Sequence, residues 1–93
     1  MTAAVRLGDE CTGHGCFGPR VNDQASINVF INGKGAHRMG DHWVEHCCVV
    51  CHDGTMQEGS SKVFINGMAA ARIGDAISCG SVAAKGSETV FFG

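Results

Sequence analysis

Residues 28–41 read NVFINGKGAHRMGD and residues 62–75 read KVFINGMAAARIGD, identical at nine of fourteen positions with an offset of 34 residues. Self-similarity of that strength marks a repeat architecture. A third copy is divided between the chain ends: RLGD at 6–9 corresponds to RMGD at 38–41 and RIGD at 72–75, while TVFFG at 89–93 corresponds to the VFING segments. Val29 to Arg38 is nine residues and Val63 to Arg72 is nine; from Val90 off the end at Gly93 and on from Met1 to Arg6 is nine again. The chain is thus a ring of three units cut open inside one of them. Its termini are expected side by side, where the other two units carry an Asn-Gly turn.

Each complete unit reads as a β-hairpin. Val29-Phe30-Ile31 and Val63-Phe64-Ile65 are β-formers that follow small polar residues, and each run ends in Asn-Gly, the strongest short hairpin signal. Arg38-Met39 and Arg72-Ile73 fall on the return strands, and Gly40-Asp41 and Gly74-Asp75 turn the chain out again. Strand alternation puts Phe30, Phe64 and Phe91 on one face and their neighbours on the other. Most of these apolar residues are expected in the core, with the choice of face left open. Three such hairpins around an axis give a small all-β cone or prism of pseudo-threefold symmetry. The connections, residues 10–26, 42–60 and 76–87, read as glycine- and cysteine-rich loops, and no helix is predicted. A small core carrying long loops needs a staple.

Ninety-three residues suit one domain, expected to span 1–93. The 14 glycines are about twice the usual ~7% and favour tight turns over long helices. Seven Lys and Arg against nine Asp and Glu leave a net charge of -2, which argues against a nucleic-acid partner. The opening MTAAVRLGDECTG has no basic region followed by an apolar stretch, so neither a secretory leader of the usual kind nor a membrane span is expected. Six cysteines and five histidines then read as material for a zinc site before they read as a disulfide framework.

The repeat selects ligands among those eleven. His14 stands five residues after Asp9, His46 five after Asp41, and Cys79 four after Asp75, so each unit offers one donor at nearly the same place. In a threefold structure these converge on the axis. A closed zinc site takes four ligands, and His52, in the longest connection, is the best fourth. The predicted set is His14, His46, His52 and Cys79. A rival set uses Cys48 and Cys51, which have knuckle spacing, with Cys11 and Cys16, although that second pair is one residue too far apart for a zinc ribbon. Cys11, Cys16, Cys47, Cys48 and Cys51 can equally be small buried hydrophobes or disulfide partners under oxidation. His37 aligns with Ala71, and His42 has no counterpart in the repeat; both read as surface histidines.

Catalysis is weakly supported. Glu45 beside His46 is the nominal general base for a hydrolytic zinc, and Cys79 with a histidine can be drawn as a nucleophile and base, but no HExxH-type helix is present. Arg6, Arg38 and Arg72 recur with Asp9, Asp41 and Asp75. They read as hydrogen-bonded pairs that fix each turn, rather than as a ring facing a partner.

Ala69-Ala70-Ala71-Arg72-Ile73-Gly74-Asp75 after Val63-Phe64-Ile65-Asn66-Gly67 resembles the signature of the PAAR-repeat (Pro-Ala-Ala-Arg) proteins, and Cys11-Thr12-Gly13-His14-Gly15, Ser78-Cys79-Gly80 and Val90-Phe91-Phe92-Gly93 are also similar to that family. The resemblance covers nearly the whole chain. Ala69 stands where the family name has Pro, and Gly35 stands there in the first repeat. The resemblance implies a conical domain with a metal-stabilised point that caps the trimeric β-helical spike of type VI secretion systems and contractile phage tails. It implies a three-histidine, one-cysteine structural zinc, which maps onto His14, His46, His52 and Cys79. One copy per spike trimer is implied, with effector proteins as further partners. The chain would reside in the cytoplasm before firing and cross membranes mechanically at the spike tip. Larger relatives carry effectors as fused extensions; none is read here, so no toxin activity is expected of this chain. The alternative function is a stand-alone zinc-binding adaptor that recruits a cargo protein.

Overall fold

The computed structural model describes residues 1–93, which form eight short strands and no helix. Two Asn-Gly hairpins pair β2 (Phe30–Ile31) with β3 (Lys34–Gly35), and β6 (Phe64–Ile65) with β7 (Met68–Ala69). Asn32 and Gly33 have φ of 54° and 77°, and Asn66 and Gly67 have 54° and 81°, the left-handed pair that matches the turn to the strand twist. The third hairpin has no turn. β1 (Thr2–Ala3) and β8 (Phe91–Phe92) pair antiparallel, so the two chain ends meet as the repeat spacing requires.

Backbone hydrogen bonds close the ring. The Val5 N–H donates to Ala71 O, the Ala71 N–H to His37 O, and the His37 N–H to Val5 O, at 3.0 to 3.1 Å. Each unit is also fixed to itself in the same way. Ser26, Ser60 and Ser87 lie three residues before Val29, Val63 and Val90, and each Oγ accepts the N–H of that valine. The Asp9, Asp41 and Asp75 carboxylates accept from Arg6, Arg38 and Arg72, backbone and side chain together. The arginines therefore fix turns, as expected. Two of them also reach the next unit: Arg6 donates to Asn32 Oδ1 and Arg38 to Asn66 Oδ1. Arg72 faces the cut in the ring, where no Asn-Gly turn stands, and keeps only a bond to Gly59 O that matches the one from Arg6 to Gly86 O.

Core layers follow each other along the axis, in a molecule 37 Å long and 22 to 24 Å across. At the hairpin end Ile31, Ile65, Ala4, Ala36 and Ala70 form one cluster, with Val63, Val90 and Phe92 packed against it. The open choice of face is thereby resolved: the isoleucines point inward, while Phe30, Phe64 and Phe91 are exposed and do not belong to the core. The second cluster contains Val5 and Ala71, then Cys11, Trp43 and Ile77, which each stand two residues after their Asp.

Two features depart from what the sequence suggests. Residues 42–60 are not a loop: β4 (His42–Cys48) and β5 (Val50–Thr55) form the longest hairpin of the protein, reversing at Val49. Its tip projects away from the symmetric part, so the repeat carried no signal for it. His37 is not at the surface but fully buried, edge-on to Trp43 at 5.2 Å, with Nδ1 2.8 Å from Gln24 O. It occupies the position of Val5 and Ala71 in the ring, which has no access to water. Burial pushes its pKa below the ordinary 6.5 and keeps it neutral.

Candidate metal centre

Four separate pieces of backbone aim the predicted donors at one point. His14 sits in a tight loop in which the His14 and Phe17 backbones exchange hydrogen bonds, with Gly15 at φ 55° making the reversal. His46 owes its direction to a β-bulge. Trp43 pairs with Gly54 and His46 with His52, so β4 spends one residue more than β5 between the two pairs. Regular alternation would put residues 43 and 46 on opposite faces. The extra residue turns both inward, and both are buried. His52 lies directly across from His46. Cys79 sits in a turn closed by the Gly80 N–H to Ile77 O, and packs on the Trp43 layer.

The three imidazoles meet through Nε2: His46 to His52 is 2.7 Å and His14 to His52 is 3.0 Å. With the Cys79 Sγ, the four donor atoms all lie within 4.8 Å of one another. Tetrahedral ligands at a metal–nitrogen distance of about 2.0–2.1 Å stand about 3.3 Å apart, a spacing within the range these donors span, so small side-chain adjustments seat an ion. The donor chemistry also fits. The His46 Nδ1–H donates to Gly18 O at 2.9 Å, which leaves its Nε2 lone pair facing the centre. Desolvation, then the charges of His46, His14 and Arg20, hold the His52 pKa below 6.5, in the neutral form a metal takes. Three imidazole Nε2 atoms facing one another at these distances call for a cation or shared protons between them.

Two residues of the surroundings carried no sequence signal. Phe17 stacks on His52 at 4.1 Å and on His14 at 4.8 Å, and contacts His46 at 4.9 Å, forming an apolar cover. Arg20 is buried beneath the site. It donates to Val44 O at 2.8 Å and to the sulfurs of Cys11 and Cys79 at 3.1 Å each, with its guanidinium 5.5 Å from the Trp43 ring centre. Burial pushes the Cys11 thiol up, but hydrogen bonds from Arg20 and Gly13 outweigh it and bring the thiol below its ordinary range. Neither residue has a partner in the other repeats, so only the three-dimensional contacts reveal them.

The rival four-cysteine set is overturned. Cys16 is bonded to Cys48 and Cys47 to Cys51, while Cys11 is a buried free thiol away from both pairs. Adjacent residues 47 and 48 point to opposite faces of β4, so knuckle spacing along the sequence does not become one site in space. The protein thus has both disulfides and a candidate metal centre, rather than one in place of the other. Glu45 groups with Cys47 and Cys51 on the exposed side of the hairpin, not with the imidazoles. His42 is half-exposed and sits between Asp23 at 2.6 Å and Asp53 at 2.9 Å; these carboxylates, Asp53 foremost, raise its pKa above 6.5. It is remote from the four donors.

None of the curated proteins compared with the chain matches it. The family model described as the PAAR motif matches residues 8–85, which includes all four donors, both Asn-Gly hairpins and Arg20. With this match over most of its length, and with the three-unit ring that its spacing builds, the chain belongs to the PAAR motif family, whose members are spike-tip proteins.

Proposed function

We propose that this protein is a non-enzymatic cap on the blunt end of a trimeric β-helical spike, of the valine-glycine-repeat type or its phage-tail counterpart, with one structural zinc held by His14, His46, His52 and Cys79. The observation that carries the reading is the closed cycle of hydrogen bonds among Val5, His37 and Ala71. One chain with three equivalent hairpins can meet three identical spike chains with local symmetry matching, and one copy fills the end of the trimer. Phe30, Phe64 and Phe91, one exposed from each unit, supply an apolar ring for that contact.

Zinc, when bound, would cross-link three connections that the small core cannot order by itself. Four protein donors make a closed set with no position left for water, and Glu45 stands apart from it; both features favour a structural over a hydrolytic role. At the tip, His46 and His52 hold the two strands of the projecting hairpin to one point, and His14 and Cys79 tie that point to the other two units. A pinned tip resists unfolding while the spike is driven through a membrane, and the cap travels with the spike. An open apolar groove of about 510 Å³, lined by Met39, Met56, Phe64 and Met68, breaks the threefold pattern on one flank and favours a carried effector as an additional partner.

Metal content of protein purified without added metal tests the reading. About one zinc per chain is expected, lost or much weakened in His14→Ala, His46→Ala, His52→Ala and Cys79→Ser, and kept in His42→Ala. Zinc that ignores Cys79 would refute the ligand set. Binding to a cargo protein with no affinity for a spike trimer would favour the adaptor instead.

A further inference from the structure

The four disulfide cysteines are placed around the metal donors with a regularity that neither the fold nor the repeat requires. Cys16 follows His14 by two residues and Cys48 follows His46 by two, and these cysteines are bonded to each other. Cys47 is next to His46 and Cys51 is next to His52, and they too are bonded, across a pair in direct register. One bridge therefore ties the His14 loop to β4, and the other ties β4 to β5 beside the His46–His52 pair. Three of the four donors stand one or two residues from a bridged cysteine. The hairpin tip between them has little else to hold it. Val49 is a β-branched residue at φ 66°, fully exposed, and Val50 is exposed beside it.

We propose that Cys16, Cys47, Cys48 and Cys51 are positioning residues for the metal, so that oxidation of the two pairs and metal binding reinforce one another. This rests on the zinc reading above. Each oxidation removes two protons and two electrons from a pair of thiols. The acceptor is a low-molecular-weight or protein disulfide, attacked by one thiolate to form a mixed disulfide and then released as two thiols when the second cysteine closes the bridge. Cys16, Cys47 and Cys51 are solvent-exposed, so this exchange has access to both pairs. With the bridges closed, His14, His46 and His52 are held near their bound positions before the ion arrives, and less conformational freedom is lost on binding. Thermodynamic linkage makes the effect reciprocal: the bound ion stabilises the bridged form by the same factor. A chain assembled in a reducing compartment would carry a more labile metal, and passage into an oxidising one would lock it.

The test uses the full chain. Zinc affinity is measured by competition with a chromophoric chelator for the oxidised wild type and for the pairs of substitutions Cys16→Ser with Cys48→Ser and Cys47→Ser with Cys51→Ser. The reduction midpoint of the wild type is measured with and without zinc, by alkylation and mass spectrometry. Each double variant is expected to retain one zinc with about tenfold weaker affinity, in the range found when groups supporting a ligand are removed. Zinc is expected to lower the midpoint by about 30 mV for each tenfold of coupling. Unchanged affinity in both variants together with an unmoved midpoint would overturn the proposal while leaving the zinc site intact. A midpoint raised by zinc would overturn it too, because the thiols would then be ligands themselves. If the oxidised wild type binds no zinc, the metal reading falls and the coupling falls with it. The midpoint measurement needs no substitution, so a variant that fails to fold does not blunt the test.

Discussion

Replacing Phe64 with Ala separates two roles that strand alternation leaves undivided. Phe64 is 59% exposed, and its counterparts Phe30 and Phe91 are 61% and 44% exposed, whereas the adjacent Ile65 is 7% exposed. A Phe side chain offers about 150–250 Å² to a partner. The three rings together therefore leave about 300 Å² open, worth about 8 kcal/mol at about 25 cal/mol per Å² if a spike trimer covers them fully. Phe64 alone accounts for about 3 kcal/mol, or about a hundredfold in Kd. Because its ring is mostly in water already, its removal is expected to change unfolding free energy by less than about 1 kcal/mol. Ile65→Ala should do the reverse in the monomer, costing about 2–5 kcal/mol through a cavity in the hairpin-end core. Calorimetric titration of each variant into the spike trimer, beside urea unfolding of the cap alone, reads both quantities. The reasoning fails if Phe64→Ala unfolds like a core variant, or if a triple Phe30, Phe64, Phe91 to Ala protein binds the spike as tightly as the wild type.

Gly54→Ala should destabilise by about 1–3 kcal/mol through overpacking, seen as a lower urea midpoint, because the added methyl would stand 3.1 Å from Arg20 Nη2 and Ile77 Cγ2 and 3.4 Å from Cys79 Sγ. His37 should make the fold acid-sensitive. It faces Asp41 at 3.9 Å, with Arg38 and Asp9 also acting on it, yet burial dominates and depresses its pKa. The unfolded chain then binds the extra proton, so the stability that neutral His37 contributes is present above pH 6.5 and lost as pH falls below it. Urea unfolding of metal-free protein between pH 8 and pH 5 should show a smaller acid loss in His37→Leu than in the wild type; equal losses would remove His37 from the account. His42 has the opposite sign. Its raised pKa stabilises the fold below 6.5, and that contribution fades as pH rises through the folded value, so His42→Gln should lower stability at pH 6 more than at pH 9.

The ring of three hairpins was legible before any coordinate because each unit repeats its turn chemistry and its nine-residue spacing. Closure of β1 onto β8 follows from the same count. The clustering of His14, His46 and Cys79 is legible for a related reason: residues at equivalent places in three units around an axis approach one another, and these three side chains come together. His52 is different in kind, since it reaches the site through cross-strand register with His46 and not through the repeat. His37 reads as a surface residue by its type, although its equivalents, Val5 and Ala71, are small and apolar; position in the ring decides its burial and residue type does not. The role of Arg20 was not legible at all. A lone arginine following Gly18-Pro19 looks like surface until the Trp43 ring and two sulfurs are seen around it.

Sequence by itself determined the all-β class, the pseudo-threefold ring, the juxtaposition of the termini and the convergence of His14, His46 and Cys79. These properties depend on periodic spacing and local turn chemistry, which repeat faithfully along the chain. Tertiary structure alone decided that Ile rather than Phe faces the core, that residues 42–55 extend as a hairpin, that a bulge turns His46 inward, and that Cys16 pairs with Cys48 and Cys47 with Cys51. An alternating strand reads the same from either side, and a disulfide depends on the separation of two Cα atoms in space, here 5.7 Å and 4.0 Å, which spacing along the chain does not encode.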